Sequence, residues 1–191
     1  MKIFNTLKWK AMEQSRSQKE AHFYSHCNEN MSVLDVGVSS ETETGGAPSR
    51  NHFLKNFPYD SKNYTGLGVQ DLSSMEKLFP KKRFVQYSGG VFPFPDQKFD
   101  WVFSNAVIEH VGDDDAQVDF INEMARVASN VFFTTPNKYF PIESHTNVPF
   151  LHWNNKIFYM WCKRHRKWVT KNSLYLLSYS RLTTLLEKSN V

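Results

Sequence analysis

The sequence predicts an α/β fold, an open and mostly parallel sheet with flanking helices, on three observations. Between Ser32 and Pro136, short β-rich runs alternate with helical or loop segments, the rhythm of parallel crossovers. The run FDWVFSN (99–105) reads as buried on both faces, as parallel strands are. The run SVLDVG (32–37) closes on a glycine, which lets a backbone turn come close to a ligand.

The remaining elements follow in order. A second strand is expected at NYTGLGV (63–69), with a short helix at SSMEKLF (73–79), and a third strand at RFVQY (83–87). After the fourth strand, DDDAQVDFINEMARVAS places Val118, Ile121, Met124, Ala125 and Ala128 at helical spacing. Its aspartates 113 to 115 sit where the helix dipole favours anions. A fifth strand, SNVFFTTP (129–136), is stopped by its proline. Residues 1–30 are polar with scattered aromatics and predict one short helix; residues 31–191 form the main domain. Within it, residues 137–170 are rich in aromatics, prolines, histidines and then bases, and predict a cap over the carboxyl edge of the sheet. SYSRLTTLLEKSNV predicts a closing helix capped by Ser178 or Ser180, with Leu182, Leu185 and Leu186 inward.

A chain of 191 residues suffices for one sizeable core, and 40% hydrophobic with 15% aromatic residues is a globular composition. A net charge of +4 does not call for nucleic acid. The sequence has no apolar run near the roughly 20 residues of a membrane span and no signal-peptide pattern at its start. Cys27 and Cys162 are isolated and suggest neither a disulfide framework nor zinc. The expectation is a cytoplasmic protein.

The stretch SVLDVGVSSETETGG (32–46) opens like a nucleotide-binding loop but lacks its later glycines: Ser39 and Thr42 stand in their places, beside Glu41 and Glu43. Two carboxylates would repel a pyrophosphate and would tolerate a phosphate-free, positively charged cofactor. The alternative is an ordinary strand followed by a capped helix.

FPFPDQKFDWVFSNAVIEHVG followed by VFFTTPNKYFPIESHTNVPFLHW resembles the core of the class I S-adenosylmethionine-dependent methyltransferases, in their methyltransferase type 11 branch. In that family a loop like lPFpd precedes FDvV.s..vlEHv, a helix ending l.rV and a strand ending in Pro-Asn. The resemblance covers about residues 30 to 155 and implies a Rossmann-like fold with S-adenosylmethionine as cofactor. It implies that Asp35 and Gly37 lie by the methionine end and that Asp35 accepts from the ammonium. Ser104, Asn105 and Ala106 would line the middle of the cofactor. Ser88 and Gly89 would flank the adenine, with Val91 and Phe92 as apolar walls.

Three departures accompany the resemblance. The acid expected at the end of strand two, for the ribose hydroxyls, aligns with Gly68, so that Gln70 or Asp71 would have to compensate. The acid after strand three is replaced by Ser88. Each such charge-assisted hydrogen bond is worth about 1.5–3 kcal/mol. The antiparallel hairpin that the family carries after its last helix has no counterpart here. Strand five is then expected to have an open edge, unless residues 1–30, the cap, or a partner in an oligomer covers it.

His110, next to Glu109 at the end of strand four, and His145 in the cap are the candidate catalytic residues, as base or acceptor-orienting groups. Structural roles in holding their loops are the alternative for both, and for His152. No metal site is expected, because His145 and His152, in the cap with Glu143, lack a third partner at recognisable spacing. The stretch CKRHRKW (162–168) sets Lys163, Arg164, Arg166 and Lys167 beside Trp161 and Trp168, either a solvated helix face or a surface for RNA or an anionic head group. The function expected is methyl transfer to a small-molecule or lipid- or sugar-linked acceptor chosen by residues 137–170. The rivals are a non-catalytic binding or partner subunit of the same fold and an RNA-binding protein or RNA methyltransferase.

Overall fold

Tyr64–Gly68 and Val33–Val36 are buried at every position, which fits strands covered on both faces. They are β2 and β1 of a five-stranded parallel sheet completed by β3 (Arg83–Gln86), β4 (Phe99–Asn105) and β5 (Ala128–Thr134), in the order β3-β2-β1-β4-β5. The computed structural model describes residues 2–40 and 51–191, with side chains from Lys10 in the first stretch. The helices are α1 (Lys2–Tyr24), α2 (His52–Asn56), α3 (Ser73–Leu78), α4 (Asp114–Val127), α5 (Asn155–His165) and α6 (Tyr179–Lys188). No helix among the described residues is long and apolar enough to cross a membrane. Glu41, Thr42 and Glu43 lie outside the described residues.

Two compact units make up the chain. The first comprises residues up to Gly89 with Gln97–Phe103 and Ala128–Phe132; the second comprises Gly90–Asp96, Ser104–Val127 and Phe133–Val191.

The first unit is built around Phe23. Its ring is fully buried and meets Tyr24, Phe53, Trp101, Phe103 and Phe132 edge-on, at centroid distances of 5.2–5.7 Å. Phe53 stacks on Phe103 at 3.9 Å. Such pairs add roughly 0.5–1.5 kcal/mol each beyond area burial. The helix carrying Phe23 is much longer than the short one expected from residues 1–30. No proline or glycine interrupts it, and its apolar residues are too scattered to mark a stripe. Glu20, on the same helix, is tied to Nδ1 of His52 at 2.6 Å. Strand β4 is less buried at its start than expected. Asp100 is exposed, and its carboxylate accepts from both the backbone N–H and the hydroxyl of Ser32, each at 2.7 Å.

In the second unit, α4 buries Gln117, Phe120, Ile121, Met124 and Val127. Gln117 belongs to that face because its Nε2 donates to the Ile108 carbonyl at 3.0 Å. Ser178 caps α6, accepting from the Arg181 N–H at 3.2 Å, while Arg181 pairs with Asp114 of α4. Residues 155–176 have their own small core of Phe158, Cys162, Val169, Leu174 and Leu176. The basic stretch is not one helix face, since α5 ends at His165. Trp161 is half-buried and Trp168 exposed, with Arg166 over the Trp161 ring at 5.8 Å.

Candidate functional site

At the end of β1, Gly37 adopts φ 102°, a left-handed conformation that favours glycine. The N–H groups of Gly37 and Val38 both donate to the Leu67 carbonyl, at 2.9 and 3.1 Å, which bends the chain across the end of β2. A Cβ on Gly68 would lie 2.2 Å from the Val38 carbonyl oxygen. With this backbone, position 68 has no room for the side chain of an acid.

Gln70 and Asp71 follow at once. Gln70 Oε1 accepts from the Ser39 hydroxyl (3.1 Å) and from the N–H and hydroxyl of Ser40 (2.9 and 3.0 Å), joining the loop after β1 to the loop after β2. Asp71 is exposed, and its carboxylate accepts from the Ser73 N–H at 2.9 Å at the start of α3; these bonds hold it below the usual carboxylate range. Asn51, which sequence reasoning missed, clamps Ser39 from both sides: Oδ1 accepts its N–H at 2.9 Å and Nδ2 donates to its carbonyl at 2.7 Å. After β3, Ser88 is exposed and Gly89 and Gly90 take positive φ, with no atom within 4 Å of a Cβ at either glycine.

Asp35 is buried, and its Oδ2 accepts from the Tyr64 hydroxyl at 2.5 Å. Burial pushes its carboxyl up to about 7, against the lowering effect of the Tyr64 hydrogen bond; Glu20 adds to the rise and Lys82 opposes it.

In the second unit, Ser104 is buried and closed off from a ligand, against the role expected of it. Asn105 Oδ1 accepts from the Thr134 hydroxyl at 2.7 Å, and the Ala106 N–H donates to the Thr134 carbonyl at 2.8 Å. Ala106 holds φ 59°, a left-handed conformation that costs a non-glycine residue about 1–2 kcal/mol. Of the expected adenine walls, Val91 is exposed but Phe92 is not available. Its ring packs edge-on against Phe120, its N–H donates to Glu123 at 2.6 Å, and its carbonyl accepts from Arg126 at 3.0 Å. Arg126 also donates to the Phe94 carbonyl and to Asp96, each at 2.8 Å, fastening the FPFPD segment to α4.

The two expected catalytic histidines come together. His110 Nδ1 lies 2.8 Å from the Ser173 carbonyl, His145 Nδ1 lies 2.7 Å from Glu143 Oε1, and the two Nε2 atoms face each other at 3.2 Å. Glu143 is buried. Desolvation raises its carboxyl, but the hydrogen bonds from the side chain and N–H of His145 and from Thr146 outweigh this and bring it down to about 2. Glu109 is buried beside the pair, with Oε2 accepting from the Thr135 hydroxyl at 3.0 Å; burial raises its carboxyl. His152 stands apart, its Nε2 donating to the Phe140 carbonyl at 2.8 Å, and serves its loop.

Residues 52–130 match the methyltransferase domain. The matched segment runs from α2 into β5 and contains both the FPFPD segment and Arg126 of the l.rV pattern. Solved structures share the methyltransferase fold at low identity. YcgJ of Bacillus subtilis is 17% identical, with 91% of this chain and 67% of that chain covered at a TM-score of 0.59. A SAM-dependent methyltransferase of Methanosarcina mazei is 14% identical, with 87% and 82% covered at 0.60. The Haloferax volcanii methyltransferase solved in complex with the Trm112 methyltransferase activator is 15% identical, with 95% and 71% covered at 0.56. A comparison with curated proteins returned no match.

Proposed function

We propose that this protein transfers a methyl group from S-adenosylmethionine to a small-molecule or lipid- or sugar-linked acceptor. One observation carries the reading: the methyltransferase-domain match falls on a chain whose first strand ends in the left-handed Gly37 turn, without the later glycines of a pyrophosphate loop.

The residues present fit the cofactor. Gly68 has no room for a side chain, so the ribose hydroxyls fall to the exposed carboxylate of Asp71, with Gln70 fixing the loop beside it. The open turn at Ser88 and Gly89 leaves room for an adenine. Asp35 and Gly37 would serve the cationic methionine end. A buried carboxyl balanced near neutrality is one that a neighbouring cation would ionise. When bound, S-adenosylmethionine supplies a methyl group on an already activated sulfonium, so the task of the chain is alignment. Residues 137–170 would select the acceptor, and His110 and His145 would orient it.

Calorimetric titration with S-adenosylhomocysteine tests this assignment. The wild type is expected to bind one equivalent, and Asp71→Ala to bind roughly ten- to a hundredfold more weakly. Equal affinity in the two proteins would remove Asp71 from the ribose. Binding of S-adenosylmethionine that no acceptor converts to turnover would point to the non-catalytic alternative.

A further inference from the structure

We propose that Glu109, His110 and His145 form a binding site for one divalent first-row transition-metal ion. Neutral imidazole carries one N–H. In His110 that proton is on Nδ1, because the Ser173 carbonyl 2.8 Å away can only accept. In His145 it is again on Nδ1, facing the carboxylate of Glu143 at 2.7 Å. Both Nε2 atoms therefore carry lone pairs, and they face each other at 3.2 Å. Two lone pairs at that separation repel unless a cation lies between them. Ligand bonds of about 2.0–2.1 Å at the tetrahedral angle put two nitrogens about 3.3 Å apart. The observed spacing is that of a ligand pair.

The third ligand is a separate observation. Glu109 is 1% exposed, and its Oε1 has no hydrogen-bond partner, an expensive state for a buried carboxylate. That oxygen lies 4.0 Å from His145 Nε2, and all three ligand atoms lie within 4.8 Å of one another. Oε2, in contrast, is held by the Thr135 hydroxyl, and the Glu109 carbonyl accepts from the Tyr175 N–H at 2.7 Å. The orientation of each ligand is thus fixed from behind, by a backbone carbonyl, a carboxylate and a hydroxyl, as in established metal sites. Two imidazoles with one carboxylate suit zinc, iron, cobalt or nickel, and leave coordination positions open. His110 is exposed and His145 half-buried, which gives an ion a way in and gives water or an acceptor oxygen the remaining positions.

The test uses full-length protein without a polyhistidine tag, dialysed against a chelator and titrated with Co²⁺ by visible spectroscopy and calorimetry. One equivalent is expected to bind, with d–d bands in the visible. His110→Ala and His145→Ala should abolish both signals, and Glu143→Gln should weaken binding about ten- to a hundredfold while circular dichroism stays that of the wild type. Absence of stoichiometric binding by the wild type, as when the two imidazoles merely share a proton, overturns the proposal, and so does binding undiminished in both histidine variants. Titrating the same samples with S-adenosylhomocysteine separates this inference from the cofactor reading, since either can fail while the other stands.

Discussion

The Tyr64 hydroxyl donates a 2.5 Å hydrogen bond to Asp35, a carboxylate buried on a strand with parallel neighbours on both sides. Asp35 stands two residues before the Gly37 turn. Because burial raises this carboxyl to about 7 from an ordinary 3.8, the folded protein binds a proton that the unfolded chain releases. The stabilisation from Asp35 is complete below about pH 4 and is lost as pH rises through about 7. Denaturant unfolding of wild type and Asp35→Asn at a series of pH values should show the wild type losing ground across that window. The limiting slope is about 1.4 kcal/mol per pH unit. A difference independent of pH would contradict the burial of the charge.

With the methionine end placed at Gly37 as proposed, the same equilibrium should act on ligand affinity. A cation beside Gly37 favours ionised Asp35, so S-adenosylmethionine should bind more tightly as pH rises toward and through about 7, with proton release. Calorimetry in buffers of different ionisation enthalpy reads the proton directly. In Asp35→Asn the release should vanish.

Phe23→Ala is expected to cost about 3–5 kcal/mol in urea unfolding, since it empties the centre of a fully buried aromatic cluster. Val91→Ala, at an exposed position, should stay within about 0.5 kcal/mol of wild type. Equal effects would mean that α1 does not pack on the sheet as described.

Two glycines separate steric from conformational cost. Gly89→Ala meets open space at φ +88° and should cost about 1–2 kcal/mol. Gly68→Ala drives a Cβ to 2.2 Å from the Val38 carbonyl and forces β1 and β2 apart, so its cost should exceed that of Gly89→Ala. The order of the two melting temperatures checks the claim.

Arg126→Lys should loosen the FPFPD segment. A lysine cannot reproduce a fork that reaches the carbonyls of Phe92 and Phe94 together with Asp96 and Glu123. A loss of about 1–3 kcal/mol is expected, with faster amide exchange at Phe92. Unchanged exchange there would show that α4 holds the segment by other means.

The sheet was legible because its strands are short apolar runs bounded by turn residues, and β4 fell at the expected positions. Asp113 to Asp115 and Ser178 marked the starts of α4 and α6 for the same local reason, a side chain or dipole acting within one turn. What the sequence hid was contact at long range. The residues on either side of the His110–His145 contact are separated by 35 positions, and their tautomers depend on Ser173 and Glu143. No spacing rule joins Glu109 and His110 to His145, so the sequence sets His145 beside His152 instead. Phe23 lies on a helix without a clear apolar stripe, and its partners come from α2, β4 and β5. Gly68 read as a missing acid because a close backbone approach leaves no mark on composition.

Equilibrium dialysis with methyl-labelled S-adenosylmethionine tests the central claim most directly. The account predicts that one equivalent is retained, displaced by S-adenosylhomocysteine and left in place by a large excess of NAD, whose pyrophosphate finds no glycine-rich loop. No retention at millimolar ligand, or displacement by NAD, would contradict it.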